Sequence, residues 1–292
     1  VITPDYYWEN YDLTIGQGCG AKFTKFSTFK GSRFNLEGLR NKLLSKGEKK
    51  IVVLNFPNNP TGYTLRKEEA PRLVQVLQEA ADNNKHVVVI LDDAYFGLVY
   101  EDDALQESLF GMVAALSPNI LAVKIDGATK EDFVWGLRVG FLTFAAKGAS
   151  KECYTSLENK AAGALRGSIS NASILSQSLV LKAYQSATYR EEKGAKFELL
   201  KKRYQEVKRV LAAHPEFREE FIPEPFNAGY FLCFRLKHAD AEVVRKKLLE
   251  TYSTGIIAFG STIRFAFVAL PLASIEPAIM NIFSACRDCT KP

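Results

Sequence analysis

Ile51-Val52-Val53-Leu54-Asn55-Phe56-Pro57-Asn58-Asn59-Pro60-Thr61-Gly62 is the stretch on which the reading of the fold turns. Four apolar residues in a row, with no polar alternation, mark a strand buried on both faces. The loop that follows holds three asparagines, two prolines and a glycine, a stiff arrangement that can keep an amide side chain still. Downstream, Leu73, Val76, Leu77, Ala80 and Ala81 recur at the spacing of a helix packed on a sheet. Val87 to Leu91 reads as a second buried strand, Ile120 to Ile125 as a third and Val139 to Phe144 as a fourth. This rhythm of strand, helix and strand predicts an α/β fold, a mostly parallel sheet sandwiched by helices.

Towards the N-terminus, Asn35 caps a short helix running to Ser45. The alternation Lys22-Phe23-Thr24-Lys25-Phe26 is read as a half-buried strand in preference to a nucleic-acid patch. Towards the C-terminus, Phe197, Leu200, Tyr204, Val207 and Leu211 line a charged helix that ends near His214-Pro215. A strand (Tyr230 to Leu236), a helix (Ala241 to Tyr252), a strand (Ile263 to Val268) and a last helix from Ser274 then predict a smaller α/β unit. The expected division is a large domain over 1–195 and a small one over 196–292. The opening Val-Ile-Thr-Pro-Asp has no charged segment followed by an apolar one, so it is no signal peptide. It reads as the interior of a longer protein.

The charge balance excludes little. Lys+Arg 38 against Asp+Glu 33 gives +5, scattered along the chain, which suits an anionic small molecule and argues weakly for nucleic acid. No apolar run approaches the roughly 18 residues of a membrane span. Five cysteines, widely spread and odd in number, suit a reducing compartment, and a cytoplasmic location is expected. Cys286 and Cys289 have the spacing of half a zinc site, but no second pair accompanies them and there are only three histidines. No Gly-x-Gly-x-x-Gly or Walker loop follows a strand, which weakens a nucleotide-binding reading.

Ligands of α/β sheets bind beyond the carboxyl ends of the strands, and the unusual residues of this chain cluster there. Asn55 to Gly62 follows the first strand, Asp92-Asp93-Ala94-Tyr95 the second, and Asp126-Gly127-Ala128-Thr129-Lys130 the third, with Gly136-Leu137-Arg138-Val139-Gly140 shortly after. Each alone has an ordinary explanation: Asn-Pro loops are common turns, acids at strand ends cap helices, and single lysines are usually solvated. Taken in order, however, the Asn-Pro-Thr-Gly loop, Asp-x-Ala-Tyr, a lysine, and an arginine eight residues later inside Gly-x-Arg-x-Gly resemble the class I/II aminotransferases. These are pyridoxal-phosphate enzymes of fold type I. The resemblance runs from Tyr7-Trp8-Glu9-Asn10-Tyr11 to Ile263-Arg264-Phe265-Ala266-Phe267.

The resemblance implies a role for each position. Lys130 would form the Schiff base with pyridoxal 5'-phosphate and then act as the base at the substrate; Lys124 is its rival but lacks the spacing to Arg138. Asp92 would pair with the ring nitrogen, with Asp93 the neighbouring alternative. Tyr95 and Asn59 would hydrogen-bond the ring's phenolic oxygen, Asn59 also lying at the substrate, and Trp8 would stack on the ring unless it is simply a core residue. Arg138 and Thr129 would hold the phosphate, and Arg264 would grip the substrate carboxylate, unless an internal acid pairs with it. Gly127 stands where the family often has Ser, and the family's glycine-bearing phosphate loop would lie upstream of Val1. The implied activity is transfer of an amino group between an α-amino acid and a 2-oxo acid in a homodimer. A β-lyase or decarboxylase would use the same residues, and an aminotransferase-like ligand-binding module is the reading from another class.

Overall fold

The structure is a computed structural model and describes residues 1–290. The chain divides into two units: Val1–Pro57 with Thr64–Arg190, and Asn58–Tyr63 with the chain from Glu191 onward. The division falls within one long helix, and the boundary expected after residue 195 lies further along that helix.

The first unit is built on a six-stranded sheet. Its strands are β1 (Ile2–Pro4), β2 (Thr24–Phe26), β3 (Lys49–Asn55), β4 (His86–Asp92), β5 (Ile120–Asp126) and β6 (Phe141–Ala145), in the order β2-β1-β3-β4-β5-β6. Every neighbouring pair is parallel except β5 and β6. Register places Asn55 beside Asp92 and Asp92 beside Ile125, so the ends of the central strands are level with one another. Helix α1 (Leu36–Leu43) starts where expected, because the Asn35 side chain accepts the Gly38 backbone N–H at 2.9 Å. Helix α2 (Glu69–Asp82) buries Leu73, Leu77, Ala80 and Ala81. Each fully buried leucine there contributes roughly 1.5–3 kcal/mol.

One expectation fails. The strand read as buried over Val139 to Phe144 is an exposed antiparallel edge, with Phe141 and Leu142 each about half exposed. The two helices that follow, α4 (Lys151–Ser168) and α5 (Ile174–Tyr184), bury only Val180 between them. Ile174 and Leu175 are 73% and 68% exposed. An apolar run reports a preference for burial, and this unit leaves that preference unmet along much of β6 and all of α5 but Val180. Between β5 and β6 lies α3 (Ala128–Glu131), a single turn that carries Thr129 and Lys130.

The second unit begins with most of α6 (Tyr189–Ala213), which buries Leu200, Tyr204, Val207 and Val210 along one stripe. Its antiparallel sheet comprises β7 (Phe221–Pro223), β8 (Leu232–Leu236), β9 (Ile257–Phe259) and β10 (Thr262–Phe265), in the order β9-β10-β8-β7. Helix α7 (Ala241–Tyr252) is capped by Asp240, which accepts the N–H groups of Glu242 and Val243. Helix α8 (Ile275–Thr290) buries Ile275, Ile279, Ile282 and Phe283 on one face. Phe217, Phe221 and Phe234 form the aromatic centre, with the Phe221 and Phe234 rings 4.6 Å apart.

The segment Asn58–Tyr63 is tied into this second unit. Gly62 O accepts the N–H groups of Asn227 and Ala228 at 3.0 and 2.8 Å, and Pro60 O accepts the Cys233 thiol at 3.4 Å. Gly62 has φ +72°, and a Cβ there would collide with the carbonyl oxygens of Phe231 and Ala228, so only glycine fits. Among the described residues, no helix is long and apolar enough to cross a membrane and no acid, His or Cys cluster is arranged to hold a metal.

Candidate active site

In the first unit, the carboxyl ends of β4 and β5 bring four of the expected residues together. Asp92 ends β4 and is buried. Burial pushes its carboxyl up, while three groups act in the opposite direction: the Tyr11 hydroxyl, the Ala94 backbone N–H at 3.1 Å, and the Lys130 charge. Asn55 fixes the strand end by donating its side-chain amide to Asp92 O at 2.8 Å.

Lys130 is half-buried, and its Nζ lies 5.7 Å from the centre of the buried Tyr95 ring. Burial lowers its ammonium pKa first and the neighbouring Arg138 charge lowers it further, while Asp92 opposes both. The free amine is therefore more available here than on an ordinary surface lysine. Arg138 is exposed and sits in the left-handed region at φ +55°, donating to Trp135 O at 3.3 Å. Trp8 is 40% exposed and meets the Tyr11 ring edge-on, so it is no core tryptophan.

Gly127 has a packing reason. Its backbone is extended, a conformation open to any residue, but a Cβ would collide with Val139 O and Gly140 Cα. A serine at this position would have to displace the backbone that leads into β6.

Sequence reasoning missed Tyr11. It is buried, and its hydroxyl donates to Asp92 Oδ2 across 81 residues of chain. Burial and the Asp92 charge push its phenol well up, so the proton stays on Tyr11 and the negative charge on the carboxylate. The only available signal was its place in Trp8-Glu9-Asn10-Tyr11.

The two rivals, Asp93 and Lys124, have other partners. Lys124 Nζ is paired with Asp126 and lies 3.9 Å from Asp93 Oδ2. The Ser108 hydroxyl donates to Asp93 at 2.5 Å. Burial pushes the Asp93 carboxyl up to about 6, the nearby Asp126 and Asp92 charges adding to it against Ser108 and Lys124. A raised carboxyl binds its proton more tightly in the folded chain than in the unfolded one. Its contribution to stability is therefore present at low pH and lost as pH rises from about 4 through 6. Urea unfolding across pH 4 to 7 should show Asp93→Asn gaining on the wild type by about 2–3 kcal/mol as pH rises. A stability difference that stays constant over that range would disprove the assignment.

In the second unit, Arg264 on β10 donates from Nη1 to Asn59 Oδ1 at 2.8 Å, and its guanidinium lies 4.2 Å from the centre of the Phe231 ring. Aromatic stacking and an amide oxygen orient the planar guanidinium. Asn59 and Arg264 are thus partners, 205 residues apart in sequence.

The model of the family "Aminotransferase class I and II" matches residues 1–282, and the chain belongs to that family. It is 26% identical to the aspartate aminotransferase of Bacillus sp. (strain YM-2) over 97% of this chain and 69% of that one. It is likewise 26% identical to the aspartate aminotransferase of Thermotoga maritima over 88% of this chain and 60% of that one. Among solved structures, an aminotransferase from Anaerococcus prevotii superposes with a TM-score of 0.84 at 25% identity, over 99% of this chain and 69% of that one. The fold is that of the fold-type-I pyridoxal-phosphate-dependent transferases. The chain thus spans 60–69% of the length of these relatives.

Proposed function

We propose that this chain is the cofactor- and substrate-bearing part of a pyridoxal-phosphate-dependent aminotransferase that moves an amino group between an α-amino acid and a 2-oxo acid. One observation carries the reading: Lys130, on the turn that follows β5, and the buried carboxylate of Asp92, at the end of the adjacent strand β4, lie within electrostatic reach of each other, with Arg138 acting on the same lysine.

This donor set fits the cofactor's chemistry. A ring nitrogen needs an ionised acid, an aldehyde needs an uncharged amine, and a phosphate needs a permanent cation with hydroxyl or backbone donors. Asp92, Lys130, and Arg138 with Thr129 answer to these in turn. Tyr95 and Asn59 are assigned to the ring's phenolic oxygen and Trp8 to its face. When bound, pyridoxal phosphate supplies the electron sink for a carbanion at the substrate Cα. Asp92 holds a proton at the ring nitrogen, and Tyr11 keeps that carboxylate ionised. Lys130 Nζ would carry the proton from the substrate Cα to the cofactor's C4′; its lowered pKa gives it the free amine this needs. Arg264, steadied by Asn59 and Phe231, binds the substrate carboxylate through its planar fork.

We take the assembly to be a homodimer, as the resemblance implies, and the location to be cytoplasmic, a reading that five free cysteines support. The first unit carries Asp92, Tyr95, Thr129, Lys130 and Arg138, and the second carries Asn59 and Arg264.

The reading is tested by adding pyridoxal phosphate, reducing with borohydride and mapping the labelled peptide. Label on Lys130 is expected; label on another lysine overturns the assignment. Product analysis with amino acid and 2-oxo acid then separates transamination from lyase or decarboxylase chemistry. Replacing Arg264 with Ala should raise KM for carboxylate substrates about 10- to 100-fold at unchanged cofactor content, the loss of a bidentate charged contact. An equal loss of bound cofactor would contradict the role given to Arg264.

A further inference from the structure

The turn that carries Lys130 is held from the helix corner behind it. Asp132 closes α3, its N–H reaching Ala128 O at 3.1 Å, and Phe133 then takes a left-handed step at φ +60° while its N–H reaches Lys130 O at 3.3 Å. An aromatic residue in that region is unfavourable unless its surroundings fix it.

Side chains of the following helices supply the fixing contacts. Asp132 Oδ2 accepts the Tyr184 hydroxyl at 2.7 Å and Oδ1 accepts the Tyr189 hydroxyl at 2.5 Å. Tyr184 is the last residue of α5 and Tyr189 the first of α6, so both grip the carboxylate from one corner. Their rings meet edge to face, 5.2 Å apart at 72°, and brace each other. Beneath this clamp, Val180 packs with Ala128 and Val139 in a small apolar core. Helix α5 is otherwise largely exposed, so its ordered contacts converge on the Lys130 turn.

We propose that the Tyr184–Asp132–Tyr189 clamp is a positioning device for Lys130, fixing the direction of its amine through the backbone two residues away. The proposal rests on Lys130 being the cofactor-linked lysine. Asp132, Tyr184 and Tyr189 touch no reacting atom in this scheme; they act through the Lys130 backbone.

The test compares a reaction that needs the amine with a binding event that does not. In the first, Lys130 Nζ adds to the aldehyde carbon of pyridoxal phosphate and water leaves. Borohydride then delivers hydride to that carbon and solvent a proton to nitrogen, leaving a stable secondary amine. In the second, pyridoxamine phosphate, which has no aldehyde, is bound and its affinity measured. The variants are Tyr184→Phe/Tyr189→Phe and Asp132→Asn. The rate of label fixation on Lys130 should fall about tenfold, the effect of losing charge-assisted hydrogen bonds on one anchor, with pyridoxamine phosphate affinity within about twofold of wild type.

Equal losses in both measurements would show a merely structural role and overturn the proposal, as would no loss in either. If the paired variant fails to fold, Tyr184→Phe alone, on a ring 41% exposed, gives the same comparison. Absence of label on Lys130 in the wild type would instead remove the functional reading and the clamp with it. That outcome is distinguishable because it needs no variant.

Discussion

Replacing Lys130 with Ala is expected to lower turnover by at least about 10⁴-fold, since in the proposed function one amine serves both as covalent anchor and as base. Lys124 will not take over, for reasons visible in its surroundings. Its ammonium is paired with Asp126, is 3.9 Å from Asp93 Oδ2 and lies over the Phe96 ring at 5.3 Å. Those contacts commit its ammonium to neighbouring side chains, and its place within β5 keeps it off the turn that carries Lys130. At Lys130, burial and Arg138 favour the free amine. Single-turnover conversion of an amino acid, followed by peptide mapping after borohydride, measures both parts. Retained turnover, or label transferred to Lys124, would refute the assignment.

The contrast between the two lysines also shows what the sequence made legible. The strands β3 and β4 were readable because burial on both faces leaves a local mark, an unbroken apolar run, and β5 kept enough of that mark despite Lys124 and the exposed Ile125. Asp92 and Lys130 were readable because they sit at the ends of those runs and at fixed spacing from Tyr95 and Arg138. Contacts between distant positions were not readable. Tyr11 meets Asp92 across 81 residues, and Asn59 meets Arg264 across 205, with no local pattern marking either partner. The Asp132 clamp was hidden for the same reason, its tyrosines lying 52 and 57 residues downstream. The error over β6 has a different cause. Phe141, Leu142 and Phe144 have a buried strand's composition, but composition records what a segment favours, while exposure depends on what is packed beside it.

Changing Asp92 to Asn should cut kcat by about 10²–10³-fold with cofactor content nearly unchanged, the scale of losing one preorganised charged partner of a developing charge. The amide keeps the size of the carboxylate and much of its hydrogen bonding, so binding survives. It carries no charge and, in the role proposed for Asp92, could not hold a proton on the ring nitrogen, so the pull on electrons at the substrate Cα would weaken. A parallel loss of cofactor would mean that Asp92 anchors the ring without tuning it. Tyr11→Phe separates the charge on this carboxylate from its presence. Burial already pushes the Asp92 carboxyl up, and the Tyr11 hydroxyl is the first of the groups that bring it back down. Without that hydroxyl the carboxyl rises further, and a higher pH is needed to ionise it. The acidic limb of the kcat profile should therefore move to higher pH, by about one unit for a hydrogen bond of roughly 1.4 kcal/mol to a charged acceptor. At pH values well above the limb, kcat should return towards wild type, whereas Asp92→Asn should stay slow at every pH. A limb that moves to lower pH, or a Tyr11 variant as slow as Asp92→Asn throughout, would show that the hydroxyl does not act through the charge of Asp92.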